Sequence, residues 1–210
     1  MILVDEKIEA YAYAATRAEP LLLTGLEQRT HASMECPQML TGRVEGRLLK
    51  LLVEIHRPRL VLEVGTFTGY SALSMAEGLG EGGRLITCEI DPDAQAMAQE
   101  AFSRSPFGSR IELRLGPALE TIRRLDEPID FSFIDADKEG YPAYYEEILT
   151  RTRPGGLILL DNMLMDGRVL DPRDAASRAV HELNARIARD ARVENVLLTV
   201  RDGVQLVRKR

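Results

Sequence analysis

From residue 59 onward, short runs of β-branched and leucine residues alternate with stretches whose apolar positions recur at helical spacing. Strands buried on both faces read as continuous apolar runs, so this alternation predicts a parallel sheet with helices on both sides. The runs RLVLEV (59–64), RLITCE (84–89), RIELRL (110–115), IDFSFIDA (129–136) and GLILLD (156–161) predict five strands with helices between them. VENVLLTV (193–200) and VQLVRK (204–209) flank Asp202-Gly203, a tight-turn signal, and predict an antiparallel hairpin at one sheet edge. Upstream, 4–23 and 41–56 carry helical spacing and are joined by a loop containing Cys36-Pro37. Residues 1–56 are expected to cap a site, not to form a second domain. Pro and Gly gather at predicted turns, including Arg57-Pro58, Arg153-Pro154-Gly155-Gly156 and Pro172, and no repeat interrupts the pattern. One domain over 1–210 is the expectation, since domains run about 100 to 200 residues.

Charge narrows the partners. Lys and Arg number 27 against 33 Asp and Glu, a formal charge of -6, so a general attraction to nucleic acid is absent and a bound anion must be held locally. Arg208, Lys209 and Arg210 form the one basic run and read as a solvated tail. The two cysteines, Cys36 and Cys88, have neither framework nor zinc spacing, which fits a reducing cytoplasm. The N-terminal MILVDEKIEA lacks the apolar stretch of a signal peptide, and no later apolar run approaches the ~18 residues of a membrane span.

The stretch LEVGTFTGYS (62–71) follows a predicted strand and opens a predicted helix, the position at which doubly wound folds bind ligands. A dinucleotide fingerprint needs glycine where Phe67 stands, and a P-loop needs lysine where Tyr70 stands, so both phosphate-cradling readings weaken. Glu63 and Glu89 end neighbouring predicted strands, and Glu89 is placed to accept hydrogen bonds from ribose hydroxyls. Such an acidic pocket suits a nucleoside carrying an ammonium and a sulfonium, as S-adenosylmethionine does, better than a diphosphate. The bland alternative is that Gly65 and Gly69 only permit a sharp turn. Loop, paired acids and missing phosphate groups together favour the nucleoside. Gly116-Pro117-Ala118, after the third strand, would line its adenine side.

A second constellation follows. Asp135 ends the fourth predicted strand and Asp161-Asn162 the fifth, and adjacent strands lie about 4.8 Å apart, so the three side chains can converge. Two carboxylates and an amide carbonyl make a hard oxygen site suited to magnesium, manganese or calcium, with positions left open for a diol. A cation beside a hydroxyl makes it more acidic, and Lys138 is close enough to take the proton. Asp135 and Asp137 as helix caps, and Asp161-Asn162 as turn formers, are the plainer alternatives. Lys138 alone carries little information.

Together LEVGTFTGYSAL, CEID, GPAL, FIDADK, the Tyr141–Tyr145 region, RPGGLILLDN and GRV resemble, in order and spacing, the cation-dependent O-methyltransferase family that includes catechol and caffeoyl-CoA O-methyltransferases. The resemblance spans nearly the whole chain. It implies a Rossmann-like, doubly wound α/β fold with a seven-stranded sheet of order 3-2-1-4-5-7-6, mostly parallel with the last strand antiparallel. It implies cofactor contacts at Glu63, Gly65, Thr66, Ser71, Glu89 and Ala118, with Phe67 and Ile90 beside them and Met39 and Thr41 closing over. Asp135 would serve cofactor and metal, Asp161 and Asn162 would complete the metal site, Lys138 would be the base, and the enzyme would be a homodimer acting on a small diol or phenol. After Asp161-Asn162 bacterial relatives commonly carry Leu-Trp, whereas this chain reads Met163-Leu164-Met165-Asp166, which predicts a differently shaped acceptor wall. The N-terminus is shorter than in the plant enzymes, which puts acyl-CoA binding in question.

Competing readings are weaker. A methyltransferase for exocyclic base nitrogens would show an Asp/Asn-Pro-Pro-aromatic run where Asp135-Ala136-Asp137-Lys138 stands, and would carry a basic patch. A methyltransferase for a different small acceptor stays open. A nicotinamide oxidoreductase is opposed by Phe67, and a non-catalytic nucleoside-binding protein by the complete set of Asp135, Lys138, Asp161 and Asn162. His31, His56 and His181 lack ligand spacing and read as structural or surface residues, with His31 in a loop near the acceptor as the lesser option. Tyr141 and Tyr144 read as helix packing ahead of pocket lining.

Overall fold

The computed structural model describes residues 4–210, so the first three residues of MILVDEKIEA lie outside the described residues. Seven strands pair in the order β3-β2-β1-β4-β5-β7-β6: β1 (Leu60–Val64), β2 (Arg84–Glu89), β3 (Ile111–Leu115), β4 (Ile129–Ile134), β5 (Thr152–Leu160), β6 (Val193–Leu198) and β7 (Val204–Lys209). The first five are parallel, and β7 runs antiparallel to both β5 and β6. Every residue of β1 and β4 is buried, as expected of central strands covered on both faces. Edge strand β3 is partly exposed throughout.

Alternate side chains of β1 separate two cores. Leu60, Leu62 and Val64 join Ile122, Tyr145, Ile148, Val180 and Leu183 from α6 (Ala118–Arg123), α7 (Tyr141–Arg151) and α8 (Ala175–Ile187). Val61 joins Leu26, Leu49, Val53, Leu73 and Phe102 from α2 (Leu21–Ser33), α3 (Gly42–His56), α4 (Tyr70–Gly78) and α5 (Pro92–Ser103). The order reverses direction between β1 and β4, and this switch point opens a cleft at the strands' C-terminal ends.

Five local expectations are corrected. The helix expected over 4–23 is two, α1 (Glu6–Ala15) and α2, because Pro20 has no N–H to continue a helix and instead precedes the first turn of α2. Helix α2 then runs through residues expected to be loop, which places His31 on its exposed last turn. The strand expected to reach 136 stops at Ile134, which leaves Asp135 on the loop beyond it. The Arg153-Pro154-Gly155-Gly156 turn lies inside β5, where the register with β4 shifts between Ile129 and Phe131. Asp202-Gly203 belongs to a longer hairpin loop, 199–203, in which the Gly203 N–H donates to the Val200 carbonyl at 2.9 Å.

Candidate active site

The chain leaves β1 through Gly65, whose φ of 94° lies in the left-handed region; a Cβ there would stand 1.9 Å from the Asp135 carbonyl oxygen. Only glycine allows that approach. The Asp135 N–H donates to the Val64 carbonyl at 2.8 Å and the Asp161 N–H to the Ile134 carbonyl at 3.0 Å, so the ends of β1, β4 and β5 are stitched side by side.

The cleft above them has a volume of about 540 Å³ and is lined by Met39, Thr41, Gly65, Thr66, Phe67, Ser71, Glu89, Ile90, Ala118, Asp135, Lys138, Asp161 and Asn162. Of the expected site residues only Glu63 does not reach the wall; it is fully buried in β1. Thr87 Oγ1 donates to Glu63 Oε2 at 2.5 Å, while Oε1 has no hydrogen-bond partner among the described residues. Burial pushes the Glu63 carboxyl up to about 8, against the opposing hydrogen bonds from Ser71 and Thr87. An orphaned buried acceptor in an acidic setting fits a cationic donor such as an ammonium. Glu89 is held differently: the Phe67 N–H donates to Oε2 at 2.6 Å, and the Ile90 and Asp91 N–H groups to Oε1 at 2.8 and 2.9 Å. These bonds aim the carboxylate and secure Phe67, whose φ is 47°.

Across the cleft, Lys138 Nζ donates to Asp135 Oδ1 at 3.0 Å and to Tyr141 Oη at 2.5 Å. The Tyr141 hydroxyl lies 3.1 Å from the carbonyl oxygens of both Ile134 and Asp161, so one buried phenol braces the lysine against two strand ends. Tyr141 is thus core, as expected, whereas Tyr144 reaches the cleft wall and donates to Asp137 Oδ1 at 2.7 Å. Asp161 is buried; burial first and the Asp135 charge second push its carboxyl up to about 7, although the Asn162 N–H donates to Oδ1 at 2.6 Å.

Glu45 and Arg201 were not anticipated. Glu45 on α3 is 1% exposed, and neither carboxylate oxygen has a hydrogen-bond partner among the described residues. Burial, then the neighbouring Asp161, hold its carboxyl well above the usual range. Arg201 lines the cleft, and its Nε lies 3.8 Å from Glu45 Oε2. Among the described residues no group of three or more His, Cys, Asp or Glu side chains is gathered for a metal. The candidate set is the mixed one of two carboxylates and an amide, Asp135, Asp161 and Asn162. Crowded, desolvated carboxylates with a further buried acid behind them fit a hard cation in charge and donor type.

The Met163 to Asp166 segment turns its two methionines away from the cleft. Met163 and Met165 are buried in the core and neither lines the cleft. The segment's backbone is tied to the hairpin loop instead, the Met163 N–H donating to the Gly203 carbonyl at 2.9 Å and the Leu164 N–H to the Asp202 carbonyl at 2.8 Å. His56 lies 3.0 Å from the Asp130 carbonyl and His181 2.9 Å from the Val169 carbonyl; neither lines the cleft.

Comparison with known proteins adds the following. The family model described as O-methyltransferase matches residues 12–210. The chain is 36% identical over 183 residues to the catechol O-methyltransferase of Niastella koreensis, covering 84% of this chain and 82% of that one. It is likewise 36% identical over 185 residues to caffeoyl-CoA O-methyltransferase 2 of Zea mays, covering 81% of this chain and 70% of that one. Its structure is similar to that of the O-methyltransferase from Bacillus cereus in complex with SAH, with a TM-score of 0.91, 32% identity and coverage of 100% of both chains.

Proposed function

The chain belongs to the O-methyltransferase family and is an S-adenosylmethionine-dependent enzyme of the caffeoyl-CoA and catechol type; we propose that it uses a divalent cation, magnesium first, to methylate a small molecule with adjacent hydroxyls. The observation that carries this reading is the convergence of Asp135, Lys138, Asp161 and Asn162 on the same cleft as the Glu89 carboxylate, with Glu63 buried in the strand that ends beneath it. S-adenosylmethionine would bring an electrophilic methyl on a sulfonium, and a cation held by Asp135, Asp161 and Asn162 would stabilise negative charge on the acceptor oxygen.

The chain's own residues then divide the work. Glu63 faces the cofactor's ammonium with its unpartnered oxygen, Glu89 takes the ribose hydroxyls, and Gly65, Thr66, Phe67, Ser71, Ile90 and Ala118 shape the remaining contacts. Met39, half exposed, and buried Thr41 close one side, which is the cap role proposed for residues 1–56 of a single-domain chain. Lys138 Nζ, as the free amine, would take the acceptor hydroxyl proton, and S-adenosylmethionine held in the cleft would supply the electrophilic methyl group and leave as a neutral thioether. Holding the two reactants in line in one cleft supplies much of the rate. We further place this activity in the cytoplasm and in a homodimer; Cys36 and Cys88 are free thiols, and among the described residues no helix is long and apolar enough to cross a membrane.

The test is transfer of a labelled methyl group from S-adenosylmethionine to a panel of catechols, with magnesium, with excess chelator, and with D161A. Metal-dependent transfer that D161A abolishes supports the reading. Cation-independent transfer overturns the metal assignment, and cofactor binding without transfer to any diol overturns the acceptor class.

A further inference from the structure

Two cationic side chains among the described residues line the cleft, Lys138 and Arg201. Lys138 is engaged with Asp135 and Tyr141. Arg201 is not engaged in that way. Its contact with Glu45 is 3.8 Å from Nε to Oε2, and Glu45 accepts no hydrogen bond among the described residues, so the pair is held by charge alone. The side chain stays 40% exposed and lines the cleft, with Nη1 lying over Gly42, where a Cβ would meet it at 3.0 Å.

The backbone beneath it is costly and rigid. Arg201 has a φ of 49°, a left-handed conformation that a residue bearing a Cβ adopts only where its surroundings impose it. The surroundings are the bonds from Met163 and Leu164 to Gly203 and Asp202, and the Asp166 N–H donating to Asp202 Oδ1 at 2.6 Å. Glycine would satisfy the same backbone without strain. An arginine held there, on the same cleft as Asn162 and braced by a buried carboxylate, has a fixed root and a guanidinium that makes no hydrogen bond to that carboxylate.

Planar bidentate donation from a partly desolvated guanidinium suits a carboxylate above other small groups. We propose that Arg201 is a receptor for a carboxylate presented in the cleft, with Glu45 as the residue that positions it. This rests on the proposed methyl transfer and narrows its ligands. The carboxylate has two possible bearers, an acidic side arm on the acceptor or the amino-acid end of the cofactor, and the chemistry read by Arg201 is the same for both.

Calorimetric binding at fixed magnesium distinguishes them. Wild type, R201G and R201K are each titrated with protocatechuate and its amide, and separately with S-adenosylhomocysteine and its decarboxylated analogue. R201G keeps the loop backbone, and R201K keeps the charge without the fork. The expected result is that wild type binds the carboxylate of one pair at least about tenfold tighter than its neutral counterpart, as for a hydrogen bond to a charged group. That ratio falls toward one in R201G and lies between in R201K, and the pair affected identifies the bearer. Equal ratios in wild type and R201G for both pairs, or no binding of either carboxylate, would overturn the proposal. Binding is read without turnover, so failure of methyl transfer to catechols would sink the function while these ratios remain readable.

Discussion

Glu63 ties the proposed cofactor site to the stability of the fold, and the link can be measured. Its carboxyl is fully buried, has one unpartnered oxygen, and is held at about 8 against an ordinary 4.5. Between those two values the folded protein keeps a proton that the unfolded chain has released, so stability falls as pH rises through the window. At about 1.4 kcal/mol per pH unit the ceiling is roughly 5 kcal/mol, comparable with the whole stability of many domains. Solvent penetration and structure in the unfolded chain reduce it, and about 2 kcal/mol is a reasonable floor for a group without a counter-charge. Glu63→Gln keeps the shape and removes the titration. Urea denaturation of the cofactor-free protein from about pH 5 to about pH 8 should show wild type losing stability more steeply than E63Q. Asp161 and Glu45 titrate in the same direction in both proteins, so the difference between the two curves isolates Glu63. Parallel curves would refute the argument. Binding of S-adenosylmethionine should also release close to one proton at neutral pH in wild type and fewer in E63Q, which calorimetry in buffers of different ionisation enthalpy reads directly.

Two further outcomes follow from the geometry. Lys138→Ala should lower kcat by about 10² to 10⁴-fold with little change in cofactor affinity, since it removes a proton acceptor and not a binding surface; steady-state kinetics with a fixed catechol checks it. Gly65→Ala places a methyl 1.9 Å from the Asp135 carbonyl oxygen at a φ of 94°, so thermal denaturation should show a loss of at least about 3 kcal/mol or no folded protein at all.

The strands of the sheet were legible because β1 and β4 are buried on both faces, so their apolar runs are uninterrupted and cannot be mistaken for helix faces. The cleft residues were legible because Gly65, Asp135, Asp161 and Asn162 all follow such runs directly. Pro20 was a readable helix breaker that the apolar spacing of 4–23 concealed. Glu45 carries a sequence signal: it stands four residues before Leu49 and eight before Val53, both core residues, so it occupies the apolar stripe of α3. An acid on that stripe points to a buried charge. Arg201 left none, because beside Asp202-Gly203 it reads as an ordinary loop residue, and its tie to Glu45 spans most of the chain. The side-chain directions in the Met163 to Asp166 segment are hidden in the sequence for a related reason. Sequence position next to a ligand does not say which way a side chain turns, and Met163 and Met165 turn into the core.

The contact of Gly65 with the Asp135 carbonyl welds the proposed cofactor loop to the proposed metal loop with no compliant side chain between them. Neither can drift without dragging the other, so the reacting centre behaves as a single casting whose dimensions are inherited whole. Variation in what is methylated must then enter through the parts bolted around it, the 36–41 segment and the 199–203 hairpin loop. For anyone redirecting this scaffold to a new acceptor, the cleft-facing Met39 and Arg201 on those two segments are where sequence can be exchanged, and the backbone at Gly203 and the junction at Gly65 are where it cannot.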